Sequence, residues 1–482
     1  MHNSDRIWDI VDGHGPAFVA LSDRVFDTPE IAYTETASAA EHARMLRASG
    51  FRVTEGIAGI PTAMIGEAGD EGPDGGPDGG PVIAILGEYD ALPELGQEAG
   101  LANPQPVGGK VGPGHGCGHN LFGAAAMLAA VALRDYLAEA GIKARVRYYG
   151  CPAEEGGAAK TFMVRAGAFD DVDAAITWHP SSVNAVDDAV SLANSRIDYT
   201  FHGRAAHAAG APELGRSGLD AVELMNIGVN YMREHMPDDA RIHYAYLDAG
   251  GIAPNVVQAK ATVRQLVRAR DLSGLRELIA RVDKIAEGAA LMTETRVERR
   301  VVSGVSNLIG NRVLSETMQA AFDRLGPPAF DAEDHAYAEA IRATLTPEHI
   351  ASSFRKVAMK PRMDLALSDF VAPLERPHQG GEGSTDVGDV SWAVPTVQAR
   401  VATCALGTPL HTWQMTAQGK SPAAHKGLIH AAKVMAATAR DLIENPDRLR
   451  AAKADHAAFL ADQPYSCPMP DEVTPPIPVA AE

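Results

Sequence analysis

Cys117 and His119 share a short glycine-rich loop with His115, and Glu154 and Glu155 are neighbours in a second loop. Asp90 and His179 mark two more positions of the same chemical kind. Thiolate, imidazole and carboxylate are the side chains that bind zinc or manganese. The spacing Cys117-Gly118-His119 is too tight for a structural zinc finger, and no matching cysteine pair occurs elsewhere in a chain with four cysteines. An open catalytic centre fits better, because it takes few protein ligands and leaves room for water.

These residues need a scaffold that carries them to one place. Val82 to Leu86 is a short apolar run of the kind found in strands buried on both faces, and it leads into Asp90. Arg145 to Tyr149 reads as a strand leading into Glu154 and Glu155, and Ala174 to Trp178 as one leading into His179. Residues 5–50 read as helical with Gly50 as C-cap, and Leu121 to Ala140 as a helix capped by Asn120 and closed by Gly141. Strands alternating with helices predict an α/β fold with a mostly parallel sheet, whose ligands bind beyond the carboxyl ends of the strands. Residues 66–81, with seven Gly and three Pro, read as a flexible surface excursion.

The pattern changes after residue 192. Strands near 196–202, 242–248, 258–269 and 294–302 alternate with helices marked by Leu219 to Met232 and Leu275 to Ile285. The order β-α-β-β-α-β is that of a ferredoxin-like α+β unit. Residues 312–482 return to helices and short strands. The expected organisation is therefore one domain made of 1–192 and 306–482, with 193–305 inserted. The proline-rich tail from about 463 reads as an irregular surface segment.

Lys and Arg total 43 against 62 Asp and Glu, a net charge of -19, with no clustered basic run. That field disfavours nucleic acid and anionic membrane surfaces as partners. No run of 18 or more apolar residues occurs, so no spanning helix is expected. Few cysteines and no signal-like N-terminus make a reduced, cytoplasmic chain the expectation.

The motifs His115-Gly116-Cys117-Gly118-His119-Asn120, Pro152-Ala153-Glu154-Glu155-Gly156, Trp178-His179-Pro180 and Ala424-His425-Lys426-Gly427 resemble those of the M20 metallopeptidase family. The resemblance is closest to its amidohydrolase branch and extends to Gly383-Ser384-Thr385-Asp386, His411-Thr412-Trp413 and residues 216–226. It implies two divalent ions per subunit, Zn²⁺ or Mn²⁺, held by Cys117, His119, Glu155, His179 and His425. It implies Glu154 as general base and acid, and Asp90 as the carboxylate that orients a ligand imidazole. The inserted unit becomes a lid and dimerisation domain, with His207 stabilising the oxyanion and Asn255, Arg264, Ser384 and Thr385 contacting substrate.

The function so implied is hydrolysis of the amide bond in an N-acyl amino acid, with an aryl-acyl glutamate such as p-aminobenzoyl-glutamate preferred. Other N-acyl or indole-acyl amino acids are the alternative within the branch. A homodimer through the lid, or pairing with a related second subunit, is expected. Asn120 stands where the branch has Asp, and Cys151 where it has Gln; Cys151 is read as packing. Two readings of other classes remain: a metal-dependent binding protein without catalysis, and a cysteine hydrolase using Cys117 with His119. The first has no need of Glu154, and the second leaves the carboxylate pair without a role.

Overall fold

The computed structural model describes residues 5–69, 80–377 and 383–478. Its larger sheet has seven strands: β1 (Arg52–Glu55), β2 (Met64–Gly69), β3 (Val82–Glu88), β4 (Arg145–Cys151), β5 (Ala174–Ser181), β6 (Ala185–Val186) and β11 (Thr396–Ala402). They lie in the order β1-β2-β4-β3-β5-β11-β6. The four central strands β4, β3, β5 and β11 are parallel, and antiparallel strands finish both margins. The fold class is α/β, as the alternating pattern predicts.

Every residue of β3 is buried, which explains its continuous apolar run. Ile83 and Ile85 join the core under helices Arg6–Asp27, His119–Ala140 and Pro422–Glu444. Val82, Ala84 and Leu86 join the core on the opposite face, against helices Ala159–Arg165 and Val387–Ala393. All four parallel strands thus deliver their carboxyl ends to one edge, with helices covering both faces.

Several expectations are corrected locally. The 5–50 stretch is two helices, Arg6–Asp27 and Thr36–Ala48, separated by a loop that begins at Thr28-Pro29. Proline biases the residue before it away from helical geometry, so the break is where the chain chemistry puts it. β2 runs on to Gly69, and the rest of the expected excursion, 70–79, lies outside the described residues. Asn120 does not cap. The helix starts at His119 after Gly118, while Asn120 is buried and donates to Ser22 Oγ and the Gly419 carbonyl. Among the described residues, His119–Ala140 is long and apolar enough to cross a membrane by length and composition, a test that core helices also pass. Here residues 119–133 and 137 are buried in the core.

A second sheet is antiparallel: β7 (Ala193–His202), β8 (Arg241–Asp248), β9 (Lys260–Ala269) and β10 (Arg296–Val305), in the order β10-β7-β9-β8. Helices Gly218–Met232 and Leu272–Thr293, capped by Ser217 and Asp271, pack on one face against Ile197, Tyr199, Val263 and Val267. The other face carries Asn194, Arg196 and Asp198 opposite Arg268, Leu266 and Arg264. β8 is an edge strand whose Tyr244, Tyr246 and Leu247 are exposed. The segment after the last helix, 463–478, packs Tyr465 and Val473 against the cores of both sheets.

Candidate active site

The C-terminal edge of the parallel strands gathers the chemistry. Glu88 ends β3 and Asp90 follows it; Glu154 and Glu155 follow β4; His179 lies near the end of β5; His411 follows β11. Cys117 and His119 enter at the start of the core helix that links β3 to β4. Gly118 precedes that helix at φ 79°, and a Cβ there would come within about 3 Å of Met415 and Pro180. Only glycine fits this backbone and this space together.

Cys117, His119 and His179 bring one ligand atom each to within 4.8 Å of one another, and so do Cys117, Glu155 and His411. The two groups share the Cys117 thiol, whose Sγ is 3.4 Å from His179 Nε2. The His119 Nδ1 lies 2.9 Å from Asp90 Oδ1 and 3.1 Å from the Asp90 carbonyl. Both partners accept, so Nδ1 donates; burial opposes a charge on this ring, but Cys117 and Asp90 raise its proton affinity well above the usual range, and a cation at Nε2 would take the place of that proton. That Nε2 is fully buried without a well-formed hydrogen bond, 3.3 Å from Glu88 Oε2, and Glu155 Oε1 is likewise buried, 3.2 Å from His411 Nε2. The His179 Nδ1 similarly donates to the Pro180 carbonyl at 2.8 Å, leaving Nε2 toward Cys117.

Charge points the same way. Hydrogen bonds to Cys117 and Glu155 hold His411 up to about 10, so this spot draws positive charge. Burial first, then Arg400 and His119, holds His179 well below the usual range, in the neutral form that ligates. Buried lone pairs, a thiol and a carboxylate around one space are the donor set that a divalent cation needs, and these residues fit one. A third group, Glu88, His119 and Glu154, meets the same distance limit. Its charge is already answered by buried Lys160, whose Nζ is 2.6 Å from Glu88 and 2.7 Å from Asp386.

Glu154 is half-buried beside these groups. Burial first, then the charges of Glu88 and Glu155, push its carboxyl well above the usual carboxylate range. A carboxyl with its proton affinity raised in this way is suited to general acid–base work. The turn that presents it is strained, because Ala153 and Ala158 sit at φ 54° and 59°. Left-handed backbone costs a residue with a Cβ about 1–2 kcal/mol.

The remaining expected site residues lie elsewhere. His425 is on the first turn of helix Pro422–Glu444, its Nε2 2.9 Å from Asp23 Oδ1, and it belongs to none of the three groups. The histidine that reaches Cys117 is His411, whose backbone N–H donates to the Gly116 carbonyl at 2.8 Å. Its place beyond the fourth parallel strand is the signal that could have found it. Arg264 is engaged within its own sheet: its guanidinium fork is filled by Asp198, at 2.6 and 3.0 Å. Arg196 and Arg268, unremarked in the sequence, have no carboxylate partner among the described residues, and Arg196 Nη1 donates to the Gly156 carbonyl at 3.2 Å. Burial holds both guanidinium groups below their usual range.

His207 and Asn255 are exposed in one strand-like pairing of the second sheet unit and belong to none of the three ligand groups. Ser384 and Thr385 precede Asp386, and the Ser384 hydroxyl is buried without a partner. Cys151 is buried, and burial raises its thiol, which agrees with packing.

Fold and site together define a metal-dependent amidohydrolase. Residues 84–397 match peptidase family M20/M25/M40, and the chain belongs to that family. It is 44% identical over 477 residues to a p-aminobenzoyl-glutamate hydrolase subunit of Escherichia coli, a match spanning 97% of each chain. Among solved structures it resembles an aminobenzoyl-glutamate utilization protein from Klebsiella pneumoniae, with TM-score 0.57 and 17% identity over 88% of this chain and 98% of that one. It also resembles a dinuclear metal binding peptidase of the M20 family from Bacillus subtilis, with TM-score 0.56 and 16% identity over 90% and 99%. At such identities these structures speak for the fold alone.

Proposed function

We propose that this chain hydrolyses the amide bond of an aryl-acyl glutamate such as p-aminobenzoyl-glutamate, using two zinc or manganese ions per subunit. The observation that carries this reading is the pair of ligand groups sharing Cys117, with Glu154 beside them. The relative with 44% identity supports the substrate class. Held by Cys117, His119, His179, Glu155 and His411, the ions would activate a water and polarise the amide carbonyl. Glu154 takes the proton of the attacking water and delivers it to the leaving nitrogen. Asp90 serves two ends, holding His119 Nδ1 and accepting the Glu155 N–H at 2.8 Å.

The antiparallel unit, 193–305, acts in this reading as a lid on a domain made of 1–192 and 306–482. Arg196 and Arg268 face the cleft side of its sheet and take the substrate carboxylate in place of Arg264. Replacing Arg268 by Ala should raise KM for p-aminobenzoyl-glutamate about 10-fold or more, the scale of one charged hydrogen bond. KM for the neutral carboxamide analogue should barely change. An equal rise for both compounds would remove Arg268 from carboxylate binding. Absence of turnover of any N-acyl glutamate by folded, metal-loaded protein would refute the function.

His207 completes the site from a second copy of the chain, docked through the open edge of β8, where exposed tyrosines and unpaired backbone groups invite pairing. Asn255, joined to His207 by the pairing of their segments, and Ser384 and Thr385 complete the substrate contacts. Mixing His207→Ala with Glu154→Ala subunits should then return part of the activity, since one site in each mixed dimer is intact. No return after confirmed subunit exchange would place His207 in its own chain's site, or in none.

A further inference from the structure

The turn carrying Glu154 and Glu155 is held from outside by two carboxylates. Asp90 accepts the N–H of Glu155. On the other side, fully buried Glu35 accepts the N–H of Ala153 at 2.9 Å through Oε1. The same oxygen accepts the N–H of Tyr33 at 2.9 Å, and Oε2 accepts the Thr62 hydroxyl at 3.2 Å. Tyr33 adds a second tether, its hydroxyl donating to the Gly157 carbonyl at 2.7 Å. Inside the turn, the N–H of Gly157 returns to the Ala153 carbonyl at 3.0 Å. Ala153 is one of the left-handed residues, so its conformation persists only because the surroundings impose it.

We infer that Glu35 is a positioning residue for Glu154: by gripping the Ala153 N–H it fixes the strained turn that aims the base into the site. The inference rests on Glu154 being the base. Glu35 lies in the loop between the first two helices, far from either metal group in sequence and in neither of them. Its hydrogen bond to the turn is made to backbone, at the Ala153 N–H. Burial, then the charge of Asp90, pushes its carboxyl up to about 8, so the protonated form dominates at neutral pH. Glutamine copies that form, with an oxygen for the two N–H groups and an amide that donates to the Thr62 hydroxyl, which turns to accept.

The test compares Glu35→Ala with Glu35→Gln in the metal-loaded protein, using p-aminobenzoyl-glutamate. Glu35→Ala should lower kcat about 10-fold or more, the scale of a misplaced reacting group. KM and metal content should hold, and Glu35→Gln should recover most of kcat. In a Glu154→Ala background the same Glu35→Ala change should cost nothing further, because the group it aims is gone. An equal drop in that background, metal loss, a failure of Gln to rescue, or a rise in KM at constant kcat would each overturn the inference. If Glu35→Ala does not fold, Tyr33→Phe removes the second tether alone and should lower kcat at constant KM; unchanged kcat overturns the proposal. A Glu154→Ala protein with full kcat would instead overturn the base assignment itself, which keeps the two failures distinct.

Discussion

Dialysis against a strong chelator should abolish amide hydrolysis, and Zn²⁺ or Mn²⁺ should restore it. The expectation stands on buried atoms without a well-formed hydrogen bond: His119 Nε2 has only Glu88 at 3.3 Å, and Glu155 Oε1 only His411 at 3.2 Å. A polar group left so in a protein interior costs about 1–3 kcal/mol, more when charged. A bound cation answers both groups and the Cys117 thiol together. The assignment also separates two histidines. His411→Ala should lower metal content at equilibrium, because His411 shares a ligand group with Cys117 and Glu155. His425→Ala should keep both ions, because its Nε2 is spent on Asp23. Full turnover by metal-free protein, verified by elemental analysis, would refute metal dependence. Metal loss in His425→Ala with retention in His411→Ala would reverse the histidines.

The adjacent glutamates should part company equally sharply. Glu154→Ala should lower kcat by about 10²–10⁴-fold, the usual contribution of general acid–base catalysis. Its metal content should stay near that of the parent. Glu155→Ala should lose metal, since Glu155 lies with Cys117 and His411. The reason lies in their surroundings. Asp90 holds the Glu155 N–H, and His411 is 3.2 Å from its Oε1. Glu154 faces Glu88 and His119, where like charge and burial favour its protonated form. Intact kcat in Glu154→Ala, or metal loss from it, would show that the neighbours have exchanged roles.

Much of this site is legible in the residues themselves, for a physical reason. Glu154, Glu155 and His179 each follow or end a short apolar run, and a parallel sheet must bring such ends to one edge, while Cys117 and His119 stand in the glycine-rich loop that enters the next helix. The antiparallel unit is equally open to reading, since its strands and helices alternate with their own periods. What stays hidden depends on register and on long-range packing. Whether Arg264 is free or held turns on which residue of β7 lies opposite it, and that residue is Asp198. His411 and His425 both sit in motifs with ligand chemistry. Only the path from β11 brings the first to the Gly116 carbonyl, while the second rides a helix packed beside Asp23. Glu35 is concealed inside a stretch that reads as one helix. Pro29 is the mark that the helix stops and that the polar residues beyond it have other work.

The apolar helix His119–Ala140 has a bearing on how the chain is made. One of its two covering helices, Arg6–Asp27, precedes it, but the other, Pro422–Glu444, leaves the ribosome some three hundred residues later. At about 5–20 residues per second, that interval lasts from roughly 15 seconds to a minute. Throughout it, a segment apolar enough to pass for a membrane span has one flank uncovered. The antiparallel sheet, whose strands and helices all lie within 193–305, is made in that interval, although its core is completed by Trp392 and by side chains of the last helix. The nascent chain is most open to aggregation in that interval, when Cys117, His119, Glu154, Glu155 and His179 are already made and His411 is still to come.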